Sequence, residues 1–157
     1  MSDVLLSDSA VESIGLEKCL GLTTLANSTL ATTPSGCIVY AAGSVAVLLD
    51  PDVGQQKRFF KITSTISALS VSPDGRYIAL GGRGSEASIS VFDIDSGDQI
   101  VDLKGHQYGI SCLSFSSDST VLSSCGYKLD KQLFVWNWLS GQHCVNKLGN
   151  RVRCIFQ

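Results

Sequence analysis

The residues of this sequence that could support chemistry are concentrated between Gly105-His106 and Trp136. His106 is one of two histidines in the chain, and Ser124 and Asp130 follow it. A serine, a histidine and an aspartate can form a hydrolytic triad, in which the histidine removes the serine proton. Such a triad also needs an exposed nucleophile and an oxyanion hole, and the sequence contains no nucleophile-elbow motif. We therefore expect no catalytic residues here.

The spacing of the cysteines argues against a metal site. The six cysteines stand at positions 19, 37, 112, 125, 144 and 154, so no two lie close together. Zinc sites in small domains usually begin with two ligands separated by about two to four residues. Three of the cysteines, at 112, 144 and 154, fall on apolar positions of the repeat described below. We expect reduced cysteines packed as small hydrophobic side chains, with no metal and no cofactor.

Two other short motifs match ligand-binding loops only in part. Residues 93–98 (DIDSGD) resemble a calcium loop, but the glycine is one position early and Lys104 replaces the bidentate glutamate. Residues 81–84 (GGRG) lack the Gly-Lys-Ser/Thr ending of a phosphate loop and precede a predicted strand rather than a helix. Both motifs are interpreted as connections between strands.

Composition and charge limit the classes of function. The chain has 157 residues, of which 44% are hydrophobic and 17% charged, with a net charge of -2. These values are typical of a soluble globular protein, without the basic excess that favours nucleic acid or anionic lipid. Residues 1–13 lack the features of a secretory signal, and the longest aliphatic run, 45–49, is too short to span a bilayer. We expect a cytoplasmic protein with neither nucleic acid nor membrane as a partner.

One unit of the sequence is repeated. Residues 66–75 (ISALSVSPDG) align with 110–119 (ISCLSFSSDS) at an offset of 44, and the same offset relates Phe92 to Trp136. A more divergent copy begins near Thr24, and a further copy begins at Val152. A period of this length is typical of repeat architectures.

Each unit is predicted to form four short strands. In the second unit they are 66–71, 76–82, 88–94 and 99–104, each a short apolar or alternating run bounded by Pro, Asp, Ser or Gly. Helical periodicity is weak and confined to 9–18, which we interpret as part of an irregular lead-in.

A period near 44, four strands per unit, Gly-His at the junction and Val-Trp in the third strand resemble the WD repeat of β-propellers. The resemblance implies an all-β fold of about three four-stranded blades and the start of another. The implied domains are a lead-in at 1–20, blades at 21–63, 64–106 and 107–150, and a first strand at 151–157. Closed propellers have about four to eight blades. We therefore expect further blades, self-association or another chain to cover the open blade faces.

Several longer stretches are similar to one subgroup of this family, the mitogen-activated protein kinase-binding protein and its spindle-pole, microcephaly-linked paralogue. The stretches are LEKCLG, CIVYAAGSVAVLLDP, GHQYGISCLSFS, GYKLDKQLFVWNW and NRVRCI. The sequence departs from the subgroup at Asn137-Trp138, where the subgroup has Asp-Trp.

The resemblance implies a non-enzymatic scaffold for protein–protein interaction in kinase signalling or in assembly of the mitotic spindle or centrosome. Its partners would be kinase-pathway components or spindle or microtubule-associated proteins. The alternative is a structural protein of microtubules or cilia, because the ciliary microtubule inner proteins and the echinoderm microtubule-associated-protein-like family share the style of the first blade.

The resemblance also implies roles for particular residues. In a WD repeat the junction His, a Ser, an Asp and a Trp form a hydrogen-bonded chain within a blade. The candidates here are His106, Ser124, Asp130 and Trp136, with the serine left open because residues 123–127 include a two-residue enlargement. Loops of the narrow face would meet partners through Arg83, Glu86, Tyr108, Tyr127, Lys128 and Leu129.

Overall fold

The computed structural model describes residues 16–23 and 29–147, with side chains up to residue 142. The described residues contain twelve strands and no α-helix. The strands form three separate four-stranded sheets in which all neighbours are antiparallel. This confirms the predicted all-β fold of WD-repeat blades, whereas the predicted strand at 151–157 lies outside the described residues.

The first sheet contains β1 (Leu30–Thr32), β2 (Ile38–Ala42), β3 (Val45–Asp50) and β4 (Gln55–Lys61). The second sheet contains β5 (Thr65–Val71), β6 (Tyr77–Arg83), β7 (Ser88–Asp93) and β8 (Gln99–Lys104). The third sheet contains β9 (Ile110–Phe115), β10 (Val121–Gly126), β11 (Gln132–Asn137) and β12 (Gln142–Lys147). Each sheet lies within one of the ranges 21–63, 64–106 and 107–150, although the domain boundaries themselves stay predictions.

The turn after the first strand of a unit is stabilised by side chains that recur with the repeat. Between β5 and β6, Ser72 Oγ accepts the Tyr77 N–H at 2.8 Å, and Asp74 Oδ1 accepts the Arg76 N–H at 3.0 Å. Between β9 and β10, the corresponding bonds run from the Val121 N–H to Ser116 Oγ at 2.9 Å and from the Thr120 N–H to Asp118 Oδ1 at 3.2 Å. Such turns join sequential antiparallel strands.

The middle sheet is buried on both faces. Ile78 and Leu80 of β6 belong to a cluster shared with the first sheet, whereas Ala79 between them belongs to a cluster shared with the third sheet. Successive side chains of a strand point to opposite faces, so both faces must be apolar when both are covered. This explains why the second unit has the clearest apolar runs of the sequence.

The first strands of the sheets lie closest together, with β5 in contact with both β1 and β9. Gly81 allows this approach, because a Cβ on that residue would lie 2.9 Å from Cγ2 of Ile110 on β9. Among the described residues, no helix is long and apolar enough to span a membrane.

Candidate functional site

Three connections between strands meet at one end of the sheets. Because the strands alternate in direction, residues 83–87, 104–109 and 127–131 all emerge there. The Glu86 N–H donates to the Gln107 carbonyl at 3.1 Å, and the Tyr127 N–H donates to the Gly109 carbonyl at 3.1 Å. We refer to these three segments as the loop end.

Beneath the loop end, the structure brings together the four residues of the predicted hydrogen-bonded chain. The Trp136 indole N–H donates to Ser124 Oγ at 2.8 Å, and Ser124 Oγ lies 2.8 Å from His106 Nε2. His106 Nδ1 is hydrogen-bonded to one carboxylate oxygen of Asp130. The other carboxylate oxygen accepts the N–H of Gln107 at 3.3 Å. Ser124 is therefore the serine of this chain in the structure, while the functional role of the four residues stays a prediction.

Local packing positions the chain through two glycines. A Cβ on Gly105 would lie 3.0 Å from Cζ of Phe134 and 3.1 Å from Cη2 of Trp136. A Cβ on Gly126 would lie 2.0 Å from an oxygen of Asp130. Glycine at these two positions lets the backbone approach the aromatic rings and the carboxylate without a clash.

The four side chains form a linear series of hydrogen bonds in which each donor has an acceptor. Asp130 accepts from His106 Nδ1, which leaves Nε2 of a neutral imidazole to accept the Ser124 hydroxyl proton. Ser124 in turn accepts the indole proton of Trp136. All four residues are less than 9% exposed, so Ser124 Oγ is buried rather than presented at the surface. This geometry supports a structural role over a hydrolytic one.

Burial governs the charge of His106. It lowers the pKa of His106 below its ordinary value of 6.5, and the neighbouring Asp130 carboxylate opposes this effect only in part. Below that value the unfolded chain takes up a proton that the folded chain resists. The contribution of His106 to stability is therefore present above pH 6.5 and declines as the pH falls.

We expect this proton linkage to be visible in a single substitution. Between about pH 7.5 and pH 5.5, the urea midpoint of the 157-residue chain should fall, and the fall should be smaller in the His106→Gln variant. The matched control is His143→Gln, which removes the second histidine of the chain. Equal pH dependence in the wild type and His106→Gln would contradict the assignment.

The corresponding positions of the preceding unit are apolar. At the offset of 44, Ile62, Leu80 and Phe92 stand where the third unit has His106, Ser124 and Trp136. All three are less than 9% exposed, and they lie together in the cluster between the first and second sheets. One sheet thus uses hydrophobic packing where the next uses a satisfied polar chain.

The residues predicted to meet partners all lie at the loop end. Arg83, Glu86 and Lys128 are exposed, and Tyr127 is half-buried. Tyr108 is 49% exposed and Leu129 is 75% exposed. Together with the charged residues they form an accessible surface, and its role in partner binding stays a prediction.

The structure adds residues to this surface that the sequence reasoning did not single out. Gln107 joins two loops through its backbone, and Gly109 leaves room for the Tyr127 ring, since a Cβ there would lie 2.7 Å from Cδ2. Gly109 has φ 128°, which favours glycine. Its place just after the Gly-His pair and Tyr108 is the signal that could have found it.

The described cysteines agree with the apolar interpretation in part. Cys37 and Cys125 are buried, whereas Cys19 and Cys112 are half-buried. In the described part of the chain, no three His, Cys, Asp or Glu side chains are grouped to hold a metal ion. The side chain of Cys144 and all of Cys154 lie outside the description, and the absence of metal stays a prediction.

Comparison with known families decides what these sheets are. The family model described as WD domain, G-beta repeat matches residues 54–93 and 97–137, just over half of the chain. The chain belongs to the WD40-repeat family. Each matched unit begins with the outer strand of one blade, β4 or β8, and continues through the first three strands of the next blade. A single sequence repeat therefore connects two neighbouring blades.

Individual relatives confirm the subgroup. The chain is 37% identical over 107 residues to WD repeat-containing protein 62 of Mus musculus, covering 67% of this chain and 7% of that protein. It is 37% identical over 100 residues to mitogen-activated protein kinase-binding protein 1 of Mus musculus, covering 62% of this chain and 7% of that protein. It is also 31% identical over 135 residues to cilia- and flagella-associated protein 52 of Chlamydomonas reinhardtii, covering 83% and 22% respectively.

The chain thus spans about 7% of the length of the first two relatives. WD repeats serve in general as non-enzymatic scaffolds for protein–protein interaction, and these relatives are named as repeat-containing, binding or associated proteins rather than as enzymes.

Proposed function

We propose that this chain is a non-enzymatic protein-binding module of a scaffold in kinase signalling or in spindle and centrosome assembly. The observation that carries the proposal is the loop end, where Tyr108, Lys128 and Leu129 are exposed above a buried hydrogen-bonded chain. Exposed aromatic and apolar side chains on a rigid support are typical of protein-binding surfaces. The name of one relative states that it binds a mitogen-activated protein kinase.

The buried chain contributes to binding by fixing the loops relative to each other. Asp130 accepts bonds from His106 and from the Gln107 N–H, so residues of two loops share one carboxylate. A loop held in its bound conformation loses less conformational entropy when a partner docks. The four residues are therefore proposed as positioning residues for the surface above them.

The alternative function is a structural role on microtubules or in cilia. It is favoured by the relative named as cilia- and flagella-associated, whose match covers the larger share of this chain. Both functions place the protein in the cytoplasm, associated with the spindle pole, the centrosome or the cilium. Self-association through open blade faces stays a prediction for either function.

The test compares two exposed leucines at opposite ends of the third blade. Leu129 lies at the loop end and is 75% exposed, whereas Leu139 lies in the turn between β11 and β12 and is 66% exposed. We expect the chain to recover mitogen-activated protein kinases from a cell lysate, and we expect Leu129→Ser to abolish most of this recovery. Leu139→Ser is the matched control and should leave recovery unchanged.

Microtubule co-sedimentation of the same three proteins separates the alternatives. Pelleting with microtubules that is lost in Leu129→Ser, without recovery of kinases, would favour the structural role. Equal recovery of partners by all three proteins would contradict the assignment of the loop end as the binding surface.

A further inference from the structure

We propose that the loop end binds an acidic peptide segment that carries an apolar side chain beside its carboxylates. This inference rests on the proposed function and adds the chemistry of the partner. It follows from how charge is distributed between the two ends of the sheets, from the support of Arg83, and from the apolar side chains next to it.

Acidic and basic side chains collect at opposite ends of the strands. Seven of the described acidic residues lie in or beside the turns at the end opposite the loop end, namely Asp50, Asp52, Asp74, Asp93, Asp95, Asp98 and Asp118. The N–H of Ser96 donates to Asp93 and holds the pKa of that carboxyl below its ordinary value. The hydrogen bond from Ser116 does the same to the pKa of Asp118. Asp93 and Asp118 therefore remain ionised at neutral pH.

The cationic side chains at that opposite end already pair with carboxylates or backbone carbonyls of the same end. Lys57 Nζ lies 2.6 Å from Asp50, and Arg76 Nε lies 3.3 Å from Asp93. Arg58 donates to the carbonyls of Asp95 and Ser96 at 2.6 and 2.7 Å. The opposite end is thus acidic after its internal pairing is counted.

The loop end has the reverse balance. It carries Arg83, Lys104, Lys128 and Lys131, against Glu86 as its exposed carboxylate. Its second acid, Asp130, is buried in the hydrogen-bonded chain. Among the described residues, none of Arg83, Lys104 and Lys128 forms an ion pair. A chain with a net charge of -2 therefore presents a local positive surface at this end.

Arg83 is supported for carboxylate recognition. Its guanidinium carbon lies 5.7 Å from the centroid of the Tyr127 ring, and its backbone is bridged to Gly109. A guanidinium supported by an aromatic ring loses less rotamer freedom on binding and can present two parallel N–H donors to a carboxylate.

The neighbouring side chains indicate an apolar contact beside that carboxylate. Tyr108 and Leu129 belong to loops joined by the bond from the Tyr127 N–H to the Gly109 carbonyl. A groove of about 370 Å³ opens between the first two loops and is lined by Glu86, Lys104 and Gln107, among others. A peptide that pairs carboxylates with leucine or an aromatic residue matches both features of this surface.

Nucleic acid fits these observations less well. Nucleic-acid affinity depends on many Lys and Arg contacts to phosphates, and the loop end offers only a few such side chains. The acidic opposite end would also repel a long polyanion. A short acidic peptide needs only the local surface.

The test uses a fluorescein-labelled peptide of about twelve residues, rich in Glu and Asp with one Leu and one Phe, and measures anisotropy at about 50 and 300 mM NaCl. We expect saturable binding to the 157-residue chain that weakens at the higher salt concentration. The Arg83→Gln/Lys128→Gln double variant should bind about ten-fold more weakly. Lys57→Gln, at the acidic end, is the matched control and should bind as the wild type does.

A second substitution tests the sign of the charge rather than the integrity of the surface. Glu86→Gln removes the exposed carboxylate and should tighten binding of the acidic peptide by about two- to three-fold, because a repulsion is removed. A variant that merely disturbed the loop would weaken binding. Unchanged urea midpoints establish that each variant is folded.

Several results would overturn the proposal. They are equal or tighter binding of the same peptide with Lys in place of Glu and Asp, tighter binding of a single-stranded oligouridine of the same length, and absence of peptide binding. If one of these results is obtained but kinase recovery is still lost in Leu129→Ser, the proposed protein-binding function stands and only the preference for an acidic peptide is wrong. If kinase recovery is also insensitive to Leu129→Ser, the proposed function fails with it.

Discussion

Trp138→Ala is expected to lower the free energy of unfolding by about 3–5 kcal/mol, the range for removal of a large aromatic side chain from a packed core. Trp138 is 1% exposed and lies between the second and third blades. Its ring centroid is 4.7 Å from that of Tyr77 and 6.0 Å from that of Phe115. Its indole N–H donates to the Ser119 carbonyl at 2.9 Å. The substitution removes buried hydrophobic surface, two edge-to-face aromatic pairs and a hydrogen bond at once.

Urea unfolding of the 157-residue chain, followed by circular dichroism, measures this effect. Leu139→Ala is the matched control, because Leu139 is the next residue and is 66% exposed, and it should change stability by less than about 0.5 kcal/mol. Trp138→Phe should fall between the two, because it keeps an aromatic ring and loses the indole donor. A loss no larger than that of Leu139→Ala would show that the two blades do not depend on this contact.

Substitutions in the buried polar chain are expected to lower the free energy of unfolding by about 1–3 kcal/mol each, because they leave buried partners unsatisfied. His106→Ala removes the group that connects Ser124 to Asp130, and Asp130→Asn removes the carboxylate that orients the imidazole. The double variant should lose less than the sum of the single variants, because both act on one hydrogen-bonded series.

The same variants distinguish a structural role of the four hydrogen-bonded residues from a catalytic role. The structural role predicts lower stability without loss of any hydrolytic activity. Leu139→Ala, whose side chain is 66% exposed, is the control and should leave stability within about 0.5 kcal/mol of the wild type. A hydrolytic rate that disappears in His106→Ala with an unchanged urea midpoint would contradict the structural role.

These two sets of substitutions should also differ in their effect on binding. Trp138 lies at the end opposite the loop end, beside Ser119 in the turn between β9 and β10. Asp130 lies within the loop end and holds the Gln107 N–H at 3.3 Å. In buffer without denaturant, where both variants are folded, we expect Asp130→Asn to weaken partner binding more than Trp138→Phe does, because only Asp130 lies in the loop end.

The sequence alone was enough to predict the three four-stranded sheets of the described residues and their WD-repeat type, because the features that define them are local. The turn of Ser72 and Asp74 recurs as Ser116 and Asp118 with the same backbone hydrogen bonds, and the short apolar or alternating runs between such turns specify strands. Gly105-His106 and Trp136 also identified the polar chain by resemblance, since their spacing is a property of the repeat.

Tertiary structure alone decided how the surface above that chain is built. The support of Arg83 by Tyr127, the room left by Gly109 and the sharing of Asp130 with the Gln107 N–H all join residues of different loops. No local pattern encodes such contacts, because they depend on how neighbouring blades pack. The separation of basic and acidic ends has the same origin: charges scattered along the sequence become two surfaces only when antiparallel strands bring alternate connections to the same end.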